Sequence, residues 1–393
     1  MHAVSLGVSR PIVRRVSCLV ASLALFCAPP VADAQSAAPF RLSAAPILTI
    51  GAEDKGPAYQ LDRVYGAVRL PDGRIAVGNS STGELRLYDA RGSFLTSASR
   101  RGGGPGEFDE TEAIFPRVHG ATVVANDMSH ARVNRYDFSG KVLPQLTLKS
   151  IPGAVQSVLD ATAGSHLIAR ATASPRLQGA AGQRISTRYR FAVYDSTGVQ
   201  RAALFELPSR ERMVHAFGGS MRFPFIPFSP EPIVAASTDK IYLIRDGTPT
   251  IEVWSLAAKR IGTLTWNARP VEVRDIWTRW RQAELDGETR QTSKLFYEDF
   301  LSERLPLPKF VPVAEAMHVD PAGRIWIVRT RLPWEPARRC DVLDAAGRFL
   351  GTVALPPNFT MLQVGADFLL GRARDDDDVE QVQLYRLTPV GAR

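Results

Sequence analysis

Apolar and polar positions alternate in short runs along much of this chain, most clearly in residues 65–96. Turn sequences rich in Pro, Asp, Asn and Gly separate these runs at residues 71–73, 79–83 and 89–92. A two-residue period between closely spaced turn signals is typical of an antiparallel meander. The pattern therefore predicts four strands, at residues 65–70, 75–78, 85–88 and 94–96.

The same unit recurs along the chain. Its third strand ends in Tyr-Asp-x-x-Gly or a weaker form of it, starting at Tyr88, Tyr136, Tyr194, Trp254, Leu343 and Tyr385. The intervals between these six copies are 48, 58, 60, 89 and 42 residues. Four-stranded repeats of about 40 to 50 residues indicate a β-propeller, because one such sheet cannot bury both faces whereas a ring of sheets can. We therefore predict an all-β fold, a six-bladed β-propeller of four-stranded antiparallel blades, with a two-sheet sandwich as the alternative.

The segment between the first two units, RRGGGPGEF at residues 100–108, resembles a connector found in bacterial exported six-bladed β-propellers related to the NHL-repeat family. Together with the strand ends, the resemblance covers roughly residues 45–390, although only one copy of the connector is present. It implies the six-bladed fold. It implies no single activity, because this architecture hosts lyases, lactonases, binding proteins and scaffolds.

The regular spacing is extended at the N-terminus and broken at two places. Residues 46–50 form a lone apolar strand, which we expect to complete the last blade and close the ring. Residues 207–228 form an aromatic and basic insertion. Residues 267–312 form a second insertion, in which Trp277 and Trp280 belong to a helical apolar pattern. This helical insertion is interpreted as a cap on one end of the ring or as a lid over a ligand.

The first 34 residues have the pattern of an export signal and are not expected to belong to the folded domain. Three arginines precede the apolar stretch 16–28, and Ala32 and Ala34 flank an aspartate before Gln35. That order is typical of a secretory signal peptide. We expect residues 1–34 to be removed, leaving a propeller domain of residues 35–393 in the periplasm or outside the cell, with no transmembrane segment.

Charge and cysteine content narrow the function classes. The net charge is +8, and loss of the signal peptide would leave +6. This small excess is scattered along the sequence, so no nucleic-acid partner is expected. Cys340 is the one cysteine outside the signal segment and aligns with buried third-strand positions, which predicts a core thiol rather than a nucleophile.

The candidate functional residues are polar side chains that lie eight residues before the turn of each unit. Polar residues occupy this register at Tyr65, Glu112, Gln156, Glu231, Glu315 and Asn358. Equivalent positions in a closed ring lie on one circle, so these side chains are predicted to meet at one mouth of the channel. Three carboxylates there suit a divalent cation such as calcium. The alternative is that they satisfy backbone amides at the narrow end of the ring.

Two functions remain open. The first is an exported, non-catalytic binding or assembly module for an unknown small molecule, glycan, peptide or protein, with Tyr65, Gln156, Trp277 and Trp280 as candidate ligand contacts. The second is a metal-dependent hydrolase or lyase of the lactonase or NHL type, with Glu112, Glu231 and Glu315 as metal ligands. The histidines do not occupy equivalent positions and no Gly-x-Ser-x-Gly motif is present, which favours the first.

Overall fold

The computed structural model describes residues 39–51, 55–109, 113–127, 132–148, 154–162, 165–173, 177–302, 304–375 and 377–390. The predicted signal peptide, residues 1–34, lies outside these ranges, and its removal stays a prediction. In the part of the chain that the structure describes, no helix is both long enough and apolar enough to cross a lipid bilayer.

The described chain begins with two short strands, β1 (Phe40–Leu42) and β2 (Leu48–Ile50), and a 3-10 helix, Pro57–Tyr59. Blades 1 and 2 then follow as β3 (Val64–Arg69), β4 (Ile75–Asn79), β5 (Glu84–Tyr88), β6 (Phe94–Ser97), β7 (Arg117–His119), β8 (Thr122–Asp127), β9 (Arg132–Asp137) and β10 (Val142–Leu146). Blade 3 contains β11 (Ala154–Ala161) and β12 (Leu167–Ala173), then, after a separate strand β13 (Arg184–Ile185), β14 (Arg188–Tyr194) and β15 (Gln200–Pro208).

Two insertions flank blade 4. Residues 209–232, the strand insertion, contain β16 (Arg212–Met213), β17 (His215–Phe217) and β18 (Ser220–Arg222). Blade 4 consists of β19 (Ile233–Ala236), β20 (Lys240–Ile244), β21 (Thr250–Ser255) and β22 (Arg260–Thr265). The helical insertion then contributes α1 (Val273–Gly287) and α2 (Gln291–Phe300), which confirms the predicted helices.

Blades 5 and 6 complete the ring. Their strands are β23 (Ala314–Val319), β24 (Ile325–Arg329), β25 (Arg339–Leu343), β26 (Phe349–Ala354), β27 (Thr360–Val364), β28 (Phe368–Arg374) and β29 (Glu380–Pro389). The first strand of each blade contacts the first strand of the next, from β3 through β7, β11, β19, β23 and β27 back to β3. The predicted six-bladed β-propeller of four-stranded antiparallel blades, implied also by the resemblance to NHL-type propellers, is therefore confirmed.

The repeated Tyr-Asp-x-x-Gly sequence is a hydrogen-bonded turn. Oδ1 of Asp89 accepts hydrogen bonds from the backbone N–H groups of Arg91 at 2.9 Å and Ser93 at 2.8 Å. Gly92 has a φ of 84°, a value that glycine adopts without steric cost. The same pair of aspartate bonds recurs at Asp137, Asp195 and Asp344. Cys340, on β25, is buried as predicted.

The N-terminal strands close the ring, as predicted. In β2, Leu48 pairs with Leu384 and Ile50 pairs with Val382. The strand β1 was not predicted, and it pairs with the C-terminal half of the same strand, β29. Blade 6 therefore takes its outer strands from the beginning of the described chain, so the edge of β29 is covered along most of its length.

Candidate functional site

A cavity of about 1230 Å³ runs along the inner strands of the ring and continues beneath the two insertions. All six residues of β23 line it, so it follows that strand from its beginning to its end. Phe225 and Phe228 of the strand insertion and Trp280 and Phe300 of the helical insertion form part of its wall. The site is therefore a channel that the insertions partly cover, with aromatic groups at one end.

Glu231 lies at this end of the cavity, just before β19. Its Oε1 accepts hydrogen bonds from Nη1 of Arg170 and from the hydroxyl of Tyr189, both over 3.1 Å. The guanidinium of Arg170 also stacks on the Tyr189 ring, 4.3 Å from its centroid. Burial, followed by the charge of Glu231, raises the pKa of Tyr189 and keeps this phenol a donor. Glu231 is thus held in a cluster contributed by blades 3 and 4.

Glu315 also lines the cavity, as the second residue of β23. Nε of Arg338, in the hairpin of the same blade, donates a hydrogen bond to its Oε1. The structure therefore brings Glu231 and Glu315 to one cavity, and each carboxylate accepts a hydrogen bond from an arginine.

The predicted three-carboxylate metal site stays a prediction, because Glu112 lies outside the described residues. Among the residues that are described, no group of three or more His, Cys, Asp or Glu side chains is arranged to hold a metal ion. Glu231 and Glu315 would have to leave Arg170 and Arg338 to act as ligands. As placed, the described part of the donor set does not fit a cation.

The four residues predicted to contact a ligand do not lie together in the structure. Trp280 lines the cavity, and Trp277 stacks on it with ring centroids 5.4 Å apart. Tyr65 lies away from the cavity wall described here, packed against Phe115 and 38% exposed. Gln156 occupies β11, where only its backbone is described. Trp280 is therefore the one of these four whose side chain the structure places on the cavity.

Two arginines of the strand insertion share one aromatic ring of the cavity wall. The guanidinium carbon of Arg212 lies 3.6 Å from the centroid of Phe225, and that of Arg210 lies 4.8 Å from it. Cation–π contact favours this stacking. Burial, followed by the charge of Arg212, lowers the pKa of Arg210, while Glu231 opposes that shift.

A second polar cluster lies toward the opposite end of the channel. Burial lowers the pKa of His318, on β23, to about 4, and the nearby Arg117 contributes to that shift. Asp160 of β11 accepts a hydrogen bond from the backbone N–H of Ala236 over 2.9 Å, which ties blade 3 to blade 4. His318 is therefore neutral near neutral pH, and its Nε2 has no hydrogen-bond partner within the described ranges.

Arg170, Arg210 and Arg212 were not predicted as site residues. Arg170 interrupts the apolar run of β12, and that break in an otherwise buried strand is a signal that could have identified it. The two insertion arginines occur beside aromatic residues in an irregular segment. No repeat register places them, so their position required the folded insertion.

Comparison of the sequence with protein-family models and with curated proteins gives no match. Among solved structures, the chain is similar to a member of the duf4221 family from Bacteroides vulgatus, with a TM-score of 0.48 and 10% identity over 89% of this chain and 99% of that one. A putative exported protein from Bacteroides fragilis has a TM-score of 0.48 and 13% identity, covering 91% of this chain and 97% of its own.

A gluconolactonase from Xanthomonas campestris is also similar, with a TM-score of 0.42 and 12% identity, over 84% of this chain and 88% of the other. At these identities and scores, the similarities concern the fold and carry no argument about activity. Function must be argued from the cavity of this chain.

Proposed function

We propose that the protein is an exported, non-catalytic binding protein that holds a small molecule in the cavity between the ring and its insertions. The cavity itself carries this proposal, because aromatic side chains and several charged groups converge on one concave space that the insertions partly cover. The basic, apolar and small-residue order of residues 1–34 supports export to the periplasm or the exterior.

The packing of the helical insertion supports a lid rather than a filling cap. Phe300 and Leu301 pack with Met213 and Ile226 of the strand insertion, which joins the two insertions. The cavity of about 1230 Å³ extends from the inner strands of the ring to the underside of both insertions, so the insertions cover part of it without filling it.

A metal-dependent hydrolase or lyase is the second candidate, and one observation favours it. Glu231, in the segment that enters blade 4, and Glu315, in the first strand of blade 5, line the same cavity. Against it, each carboxylate already accepts a hydrogen bond from an arginine. We therefore propose the binding function and treat a response to calcium as the outcome that would favour the enzyme.

A fluorescence titration with N-phenyl-1-naphthylamine, an uncharged apolar probe, tests the binding function. Thr330 lines the cavity, so Thr330→Trp should fill part of it. The matched control is Thr265→Trp, at the exposed end of the outermost strand of blade 4. We expect saturable binding to the native protein and the control, and loss of binding in Thr330→Trp with an unchanged melting temperature. Equal binding by all three proteins would contradict the proposal.

A further inference from the structure

We infer that the ligand of this cavity is an amphiphilic anion, a carboxylate, phosphate or sulfonate on an apolar body, whose charged group binds Arg210 and Arg212. The inference rests on the proposed binding function and adds the chemical class of the ligand. Three features of the cavity support it: two arginines with no carboxylate within 4.0 Å among the described residues, an engaged carboxylate nearby, and an aromatic wall beside them.

The first feature is the charge of the Phe225 wall. Across the described residues, neither Arg210 nor Arg212 has a carboxylate within 4.0 Å of its nitrogens. Arg212 donates one hydrogen bond, from Nη1 to the carbonyl oxygen of Phe223 over 2.7 Å. Nε of Arg210 is shielded from solvent and has no hydrogen-bond partner in the described part of the chain. A shielded donor without a partner is costly, and an anion beside the two guanidinium groups would lower that cost through charge-assisted hydrogen bonds to their other nitrogens.

The second feature is that the carboxylate of this region is already engaged. Glu231 accepts hydrogen bonds from Arg170 and Tyr189 through the same oxygen. It neutralises one of the three arginines in this part of the wall and leaves two positive charges. The strand insertion therefore contributes two arginines to the cavity wall that Glu231 does not pair with, although Glu231 lies close enough to oppose the lowering of the pKa of Arg210 and Glu284 of α1 also lines the cavity.

The third feature is the apolar surface next to these charges. Phe228 and Trp280 meet with ring centroids 4.8 Å apart, one from each insertion, and both line the cavity. An inorganic anion would leave these rings without a contact, whereas an anionic group on an apolar body would use both parts of the wall. The planar fork of arginine matches the oxygens of carboxylate, phosphate and sulfonate groups.

Two fluorescent probes that differ by one sulfonate test this inference. 8-Anilinonaphthalene-1-sulfonate carries the anion on the same anilinonaphthalene body that N-phenyl-1-naphthylamine presents without it. We expect the sulfonate to bind the native protein more tightly. In the double variant Arg210→Gln with Arg212→Gln, its affinity should fall about tenfold or more, because charge-assisted hydrogen bonds are lost. The affinity of the uncharged probe should change less than about twofold in the same variant, since it makes no such bond.

Arg222→Gln is the matched control, because Arg222 is an exposed arginine of β18 in the same insertion. It should leave the affinity of both probes unchanged. If both probes bind equally and the double variant alters neither affinity, the anion inference is wrong while the binding function stands. If neither probe binds the native protein, both the binding function and the inference fail.

A salt titration of the native protein keeps the inference testable should the double variant not fold. Screening weakens charge interactions as ionic strength rises, so sulfonate affinity should decrease between about 0.05 M and about 0.5 M sodium chloride. Binding of the uncharged probe should not weaken over that range. Sulfonate binding that is as insensitive to salt as that of the neutral probe would overturn the inference.

Discussion

Nη1 of Arg170 donates a hydrogen bond to Oε1 of Glu231 over 3.1 Å, and this bond joins the second strand of blade 3 to the segment that enters blade 4. The contact gives the carboxylate of Glu231 an arginine partner that the spacing of the repeats did not predict. A carboxylate at the ring mouth suits a cation when it is free, but here it already has a cationic partner.

Calcium should therefore leave the melting temperature of the protein unchanged. A ligand that binds only the folded state raises the melting temperature, and a site whose carboxylates are bonded to arginines offers calcium little gain. Differential scanning fluorimetry with calcium and with chelator measures this. A rise with calcium that disappears when Glu112, Glu231 and Glu315 are all changed to Gln would instead favour the metal-dependent enzyme.

Closure of the ring makes Ile50 a strong determinant of stability. Ile50 is 0% exposed and packs between blades 6 and 1. Ile50→Ala should lower the free energy of unfolding by about 2–5 kcal/mol, because it removes buried methyl groups and leaves a cavity. Ile47, which is 50% exposed just before the same strand, provides the control, and Ile47→Ala should cost less than about 0.5 kcal/mol. Equal urea midpoints for the two variants would contradict the closure by β2.

His318 should make the protein less stable in mild acid. Its pKa is about 4 in the folded protein and near 6.5 when unperturbed, so the unfolded chain binds the proton more tightly. The contribution of neutral His318 to the free energy of unfolding is fully present above about pH 6.5 and is lost as the pH decreases from there toward 4. His318→Gln removes this titration, so the difference in melting temperature between pH 7.5 and pH 4.5 should be smaller in the variant. An equal decrease in melting temperature for the native protein and His318→Gln would show that the imidazole of His318 is not held neutral.

The helical insertion is held by Phe300, which is 3% exposed at the end of α2. Phe300→Ala should release the helices from the strand insertion, and protease should then cut residues 267–312 faster while the blades remain folded. Leu295, on the same helix and 49% exposed, gives the control variant Leu295→Ala. Unchanged cleavage of Phe300→Ala, measured by limited proteolysis, would mean that other contacts hold the lid.

Most of the blade architecture follows from local sequence. An aspartate followed three residues later by glycine makes the same turn at Asp89, Asp137, Asp195 and Asp344, so this pattern fixes the strands on either side in four of the six blades. The sequence does not predict β1, because three residues are too few to show the two-residue period that distinguishes a strand from a loop. Its pairing depends on the distant strand β29.

The cavity was less predictable because its parts do not repeat. Glu231 and Glu315 line one cavity, but Glu231 precedes β19 whereas Glu315 lies within β23, so a count along the sequence does not give their positions relative to the strands. Arg338 reaches Glu315 from the hairpin of blade 5, and Arg210 reaches the wall from an irregular insertion. Such contacts depend on how loops fold over the ring, which neither periodicity nor spacing encodes.

Hydrogen exchange measured with and without N-phenyl-1-naphthylamine tests the central claim most directly. If the cavity beneath the insertions is the binding site, the bound probe should slow amide exchange in α1, α2 and residues 212–226 of the strand insertion. Exchange in β6 and β22, the outermost strands of blades 1 and 4, should stay the same. Protection confined to the outer strands, or no protection of the insertions at saturating probe, would contradict the account.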